Sequence, residues 1–299
     1  MKLGLIPSID EGDMNGQTAH FRDLQDVARA AEQVGFDSLW LADHLIFRFP
    51  GRDEQGCWEL FTFMSALAAV TSRVQLGPLV ACTSFRNPAL IAKMADSIDE
   101  ISNGRFILGL GAGWHEPEYR AFGYPFDHLA SRFEEALQII LPLLRGEHVD
   151  FEGKYYQARD TVLRPRGPSR AGPPILIGSG RPRMLELTAR YADVWNTTGW
   201  RQGADHIASK YPGLVAACEK IGRDPTTIEF TAAIGARLLA PGESKPADAP
   251  EITGTPEEVA EMLRTFADIG VQHLIIAIDP EGVAGVERFG RVIELLDQG

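Results

Sequence analysis

The chain has 299 residues, 44% of them hydrophobic, enough to bury one large α/β core. Asp and Glu outnumber Lys and Arg by 41 to 29, a formal charge of −12 with no basic run, which argues against nucleic acid as a partner. No apolar run reaches the length of a membrane span, and a chain that opens directly on a strand is expected to lack a signal peptide. Cys57, Cys82 and Cys218 have neither metal nor redox spacing, so the expectation is a reduced, cytoplasmic protein without a metal site.

Strand and helix patterns alternate from end to end. Lys2–Pro7 reads as a strand, followed by a helix with Phe21, Leu24, Val27, Ala28, Ala31 and Val34 on one face and Gly35 as its stop. Asp37–Ala42 is the second strand and Trp58–Val70 the second helix. Val74–Val80 is an apolar run with the content of a strand buried on both faces. Asn87-Pro88 opens a helix in which Leu90, Met94, Ile98 and Ile101 recur at helical spacing, and Asn103-Gly104 closes it. Arg105–Leu110 is the fourth strand. Phe133, Ala136, Leu137, Ile140, Leu141 and Leu144 mark an amphipathic helix. Pro174–Gly178 is a fifth strand with a helix over Arg183–Tyr191, and Asp193–Asn196 a sixth with a helix over about 205 to 221. Thr226–Thr231 is the seventh, followed by a capping box at Thr255-Pro256-Glu257-Glu258 whose helix turns Val259, Met262, Leu263 and Phe266 inward. His273–Ala277 is the eighth, and the last helix carries Val286, Phe289, Val292, Ile293 and Leu296.

Eight such pairs predict a (β/α)8 TIM barrel, one α/β domain over residues 1–299, better than an open sheet. Two insertions interrupt it. Residues 146–172 read as a hairpin and a Pro/Arg-rich loop, and residues 240–254 as a polar, proline-rich excursion expected to stay mobile.

Chemistry is expected where strands end, because parallel strands deliver their C-terminal loops to one face. Asp43-His44 follows the second strand, and a histidine there serves as acid or base or orients a cofactor; a loop hydrogen bond is the equally weighted plain alternative. Gly178-Ser179-Gly180-Arg181 follows the fifth strand and precedes a helix, a turn that offers free N–H groups to a phosphate, although many such turns are glycine-rich for steric reasons alone. Gly109-x-Gly111-x-Gly113 invites the same steric reading. Glu116 and Glu118 read as solvated neighbours in a loop, and nothing pairs with His115 at metal-binding spacing. No G-x-G-x-x-G fingerprint with a suitably placed acid and no G-x-S-x-G elbow occurs.

Taken together, GFDSLWLADH at 35–44, FRNPALIAKMADSIDEISNGRFILGLGAGW at 85–114, RFEEALQIILPLLRGE at 132–147, PPILIGSGRPRMLELTARYADVWN at 173–196 and GTPEEVAEMLRTFADIGVQHLII at 254–276 resemble the bacterial-luciferase-like flavin and deazaflavin oxidoreductases. The resemblance implies the same barrel, with a flat tricyclic ring across the C-terminal mouth. It implies a bulge at Leu79-Val80, often with a non-proline cis peptide, behind that ring, and Cys82 near the ring edge. Asp43 and His44 would lie by ring and substrate, and Trp114 would complete the catalytic group as a wall of the pocket. Gly178, Ser179, Gly180 and Arg181 match the phosphate-binding turn, and Trp195, Asn196 and Thr197 a segment along the cofactor's side chain.

Two departures bear on the substrate. The family's sugar-phosphate dehydrogenases keep an aromatic residue five places after the aspartate and an acid after the glycine turn, where this chain has Arg48 and Trp114. A sugar phosphate is therefore disfavoured, and the general acid is left open. LADHL, FRNPAL and GLGAGW look more like the branch that uses the deazaflavin coenzyme F420. FMN, delivered by a separate flavin reductase to a monooxygenase, is the alternative, and a non-catalytic flavin-binding protein the less favoured one. Loops 45–56, 115–128 and 146–172 would form the pocket for a small-molecule substrate, with Phe47, Phe49, Trp58, Phe122 and Tyr124 suggesting an apolar or aromatic one. The resemblance also implies a homodimer.

Overall fold

The computed structural model describes residues 1–12 and 16–298. Among them are the eight expected pairs: β1 (Lys2–Leu5), α1 (Phe21–Val34), β2 (Ser38–Leu41), α2 (Leu60–Val70), β3 (Gln75–Pro78), α3 (Pro88–Ser102), β4 (Leu108–Gly111), α4 (Leu129–Leu144), β5 (Ile175–Gly178), α5 (Pro182–Tyr191), β6 (Val194–Gly199), α6 (Tyr211–Glu219), β7 (Glu229–Leu238), α7 (Pro256–Asp268), β8 (His273–Asp279) and α8 (Gly282–Asp297). The strands are parallel wherever they pair, and the fold is the (β/α)8 barrel. Local chemistry sets the boundaries. Asn87 caps α3 by accepting the Ala89 N–H at 2.9 Å with Pro88 in the first turn, and Asn103 ends it in the left-handed region at φ 55°. At α7, Thr255 and Glu258 form the expected reciprocal capping box.

By contacts the chain divides into two compact units, Met1–Trp40 with Ser179–Gly299, and Leu41–Gly178. In the first, β1 lies between β2 and β8, and β7 between β8 and β6. Its interior holds Phe36 stacked on Phe289 at 5.5 Å and Trp195 stacked on Phe230 at 5.1 Å. Each such side chain contributes roughly 1.5–3 kcal/mol through burial. In the second unit, β4 pairs with β5 and with the two-residue strand Ala81–Cys82, and Leu76 of β3 bridges Phe106. Residues 149–152 and 157–161 form the antiparallel hairpin expected of the first insertion. Its Pro/Arg-rich loop is pinned to α3, where Asp96 accepts the Gly167 N–H at 3.1 Å and Asp99 the Ser169 N–H at 2.9 Å.

Several sequence expectations need correction. The buried face of α3 is Ile91, Ala92, Ala95, Ile98, Asp99 and Ser102; Leu90 and Ile101 point outward. The seventh strand starts three residues later than expected and runs ten residues, because Asp224 caps a short 3-10 turn over Pro225–Thr227. The helix expected over about 205 to 221 is two, Ala204–Ala208 and α6, with Pro212 in the first turn of the second. A further helix at Glu116–Phe122 was not expected. Within the second insertion, Ile252–Gly254 pairs with Ala236–Leu238.

Candidate active site

In the unit Leu41–Gly178, the loops after β2, β3 and β4 converge. Asp43 is buried, and its carboxylate accepts two N–H groups of Arg86, at 2.6 and 2.9 Å, and the Cys82 N–H at 2.8 Å. Arg86 also reaches Glu59 at 2.6 Å and lies 4.8 Å above the Phe61 ring. Burial pushes the Asp43 carboxyl up, against the pull of the Arg86 guanidinium and the Cys82 N–H. Three donors and, among the described residues, no hydrogen-bonded acceptor surround it, the environment of a carboxylate. Asp43 therefore ties the start of one loop to the start of another, and its oxygens are spoken for.

His44 is different. Its Nδ1 lies 3.0 Å from Oε1 of Glu118, and Glu118 Oε2 accepts the Leu45 N–H at 2.8 Å. No protein hydrogen bond to His44 Nε2 occurs among the described residues. Three residues before Glu118, His115 Nε2 accepts the Arg48 N–H at 3.0 Å. Burial pushes the His115 pKa down, with Glu118 opposing and His44 assisting, which keeps the ring neutral and able to accept. The 115–118 segment thus grips the 44–48 segment at two backbone N–H groups and one ring nitrogen. Around His44 stand Phe47 at 4.3 Å and Trp114 at 5.5 Å, with Phe49 stacked on Phe47 at 5.7 Å. Trp114 is 58% exposed and Phe49 37%, so the histidine borders an open aromatic wall.

The Leu79–Val80 peptide is cis. The Val80 methyls rest where Gly111 and Gly178 have no side chain; a Cβ on Gly178 would lie 3.1 Å from Val80 Cγ1, and one on Gly111 2.5 Å from Cγ2. Cys82 is buried, its Sγ 2.9 Å from the Tyr119 hydroxyl, which donates to the Ala112 carbonyl at 3.0 Å. Burial pushes the Cys82 thiol up to about 12, so it is a weak donor and not a nucleophile.

The phosphate-turn residues from Ser179 on belong to the other unit. The Ser179 hydroxyl is 2.8 Å from Thr188 Oγ1, whose own hydrogen goes to the Met184 carbonyl, and it accepts the Trp195 indole N–H at 3.2 Å. Its single hydrogen is thereby directed at Thr188. Gly180 has open space at its Cβ position, and α5 starts after it without a side-chain cap. Trp195 is fully buried, and Asn196 donates to the Thr231 hydroxyl at 2.9 Å, so both are packed into the interior of their own unit. Thr197 is buried beside them on β6. No group of His, Cys, Asp and Glu among the described residues could hold a metal ion, and no described helix is long and apolar enough to cross a membrane.

Residues 1–244 match the family described as luciferase-like monooxygenase. The chain belongs to this family. As a luciferase-like protein it is an enzyme of the oxidoreductase class. It is 37% identical over 180 residues to an F420-dependent glucose-6-phosphate dehydrogenase of Amycolatopsis mediterranei (strain U-32), a match covering 58% of this chain and about half (52%) of that protein. It is 29% identical to the pyrimidine monooxygenase RutA of Agrobacterium fabrum (strain C58 / ATCC 33970) over 89% of this chain and 86% of the other. A solved F420-dependent secondary alcohol dehydrogenase, bound to an F420-acetone adduct, shares the fold with a TM-score of 0.82 at 20% identity over 99% of this chain and 98% of its own.

In this luciferase-like chain Glu118, Arg86 and Tyr119 are the site residues that sequence reasoning overlooked. The sequence pattern suggests a solvated loop acid at Glu118, yet it is 1% exposed, while Glu116 pairs with Arg120 at the surface. Pro117 was the available signal, since a proline in a first turn announces a helix and hence an inner face for the Glu118-Tyr119 pair.

Proposed function

We propose that the protein is a deazaflavin (F420)-dependent oxidoreductase that transfers hydride to or from a small, apolar or aromatic organic substrate, with His44 carrying the accompanying proton. One observation carries the reading: His44 has one ring nitrogen held on a buried carboxylate, and no protein hydrogen bond occupies the other among the described residues. Oxidising a carbinol removes hydride from carbon and a proton from the oxygen it carries, and a histidine so held is built to take that proton.

The residues present fit a ring-and-phosphate cofactor. Val80, seated on Gly111 and Gly178, offers methyl groups as a backing surface, and the uncapped start of α5 at Gly180 and Arg181 offers N–H groups to a phosphate. When bound, the deazaflavin supplies a two-electron hydride acceptor or donor. Leu79, Val80 and Cys82 would flank its ring and Gly178 to Arg181 would hold its phosphate, whereas Trp195, Asn196 and Thr197, buried in the interior, would support that turn rather than line the cofactor's side chain. Given the hydrogen bonds of Ser179, that phosphate would be held by backbone N–H groups and Arg181 rather than by the serine hydroxyl. Trp114 and Phe49 supply an exposed apolar wall for the substrate. Arg48, paired with Glu54 at 3.0 Å, stands where the sugar-phosphate enzymes have an aromatic residue, which supports a substrate other than a sugar phosphate.

A monooxygenase using reduced FMN from a separate reductase is the second reading, favoured by the extent of the match to the pyrimidine monooxygenase. The test is an anaerobic assay of oxidised deazaflavin with a panel of aliphatic and benzylic secondary alcohols. The proposal expects loss of deazaflavin absorbance with the wild type, and none with His44→Ala, which should still bind the cofactor. Substrate turnover that requires reduced FMN and oxygen would contradict it.

A further inference from the structure

Glu118 is 1% exposed, on a short helix whose neighbouring acid, Glu116, lies at the surface. A carboxylate buried to this degree needs partners for both oxygens. It has them: Oε1 faces Nδ1 of His44 at 3.0 Å, and Oε2 takes the Leu45 N–H at 2.8 Å. Both partners come from consecutive residues of one loop, so Glu118 fixes the backbone that carries His44 together with the ring itself.

We propose that Glu118 is the positioning residue of a Glu118–His44 dyad, accepting the Nδ1–H so that the neutral imidazole always presents an unprotonated Nε2. The inference rests on the reading of His44 as the proton carrier. A carboxylate is an acceptor at both oxygens, so it takes the Nδ1 proton and the Leu45 amide proton without conflict. Nε2 is left with its lone pair, bordered by Phe47 and Trp114. When Nε2 takes the proton of a substrate O–H, that O–H bond breaks, an N–H bond forms, and the ring becomes an imidazolium. Its positive charge then faces the buried carboxylate at Nδ1, and no proton passes to Glu118.

Glu118→Gln discriminates because the isosteric amide has one acceptor and one donor. With its oxygen on the Leu45 N–H, its NH2 faces Nδ1 and forces the proton to Nε2; turned over, it opposes the Leu45 N–H with another donor. The experiment is a long-range proton–nitrogen correlation spectrum of 15N-histidine-labelled protein at alkaline pH, with the His44 signals assigned by their loss in His44→Asn. The wild type should show the proton on Nδ1, and Glu118→Gln should move it predominantly to Nε2. In the alcohol assay, kcat of the Gln variant should fall by about 10²–10⁴-fold with KM and deazaflavin binding little changed. A wild-type His44 protonated at Nε2, or an unchanged tautomer in Glu118→Gln, would overturn the dyad. Should the variant not fold, the wild-type tautomer decides alone. Expected tautomers combined with full turnover in His44→Ala would instead uphold the dyad and remove the proton-carrier role of His44.

Discussion

His273 shows how far burial alone can take a single residue. Its Nε2 lies 2.8 Å from the Ser38 hydroxyl, which accepts the Trp40 indole N–H at 2.7 Å. Glu229 lies 3.8 Å from Nδ1, so serine, histidine and carboxylate are aligned, yet Ser38 is fully buried, out of reach of any substrate. This is core, not a nucleophile. Burial, assisted by Lys2, pushes the His273 pKa down to about 3. Below the ordinary histidine pKa the unfolded chain therefore binds a proton that the folded one refuses. The stability from this group is complete above about pH 6.5 and is lost as pH falls toward 3, with a slope approaching ~1.4 kcal/mol per pH unit. Denaturant unfolding across this range should show a shallower loss in His273→Gln than in the wild type. Equal slopes would mean that the buried histidine is not what the acid attacks.

At the scale of elements, Arg105 gathers chain ends. It donates to the carbonyls of Ala68 at 2.9 Å, Thr71 at 3.0 Å, Val74 at 2.7 Å and Ser102 at 2.8 Å, closing the C-termini of α2 and α3 with one guanidinium. Arg105→Met keeps the aliphatic stem and strands these acceptors, and is expected to cost about 2–4 kcal/mol in urea unfolding. Lysine, a point charge, should recover only part of that. A loss below about 0.5 kcal/mol would show that water replaces the arginine. Boundaries of this kind were legible in the sequence, because caps such as Asn87-Pro88, Asn103-Gly104 and the Thr255 box act within a few residues. The inward face of α3 was not. Leu90, Met94 and Ile101 follow helical spacing as well as the true inner face does, and only the packed neighbours distinguish the two. The same limit applied to the site. His44 and Trp114 could be named from the order of motifs, whereas the partnership of His44 with Glu118 spans 74 residues and exists only in the fold.

For the whole molecule, the outward Leu90 and Ile101 of α3, 50% and 46% exposed, bear on the homodimer that the resemblance implies. Sedimentation should find a dimer, and Leu90→Glu with Ile101→Glu should shift it to monomer without unfolding. A wild-type monomer would remove the expectation. The aromatic wall, the seated Val80 and the His44–Glu118 pair would serve a deazaflavin or a flavin equally, so cofactor binding decides between the two chemistries. The most direct measurement is a parallel fluorescence titration of the purified protein with coenzyme F420 and with FMN. Quenching of the deazaflavin is expected with a dissociation constant of about micromolar or lower, retained in His44→Ala and weakened when Gly180 is replaced by a bulky residue. Tight FMN binding with no response to the deazaflavin would contradict it.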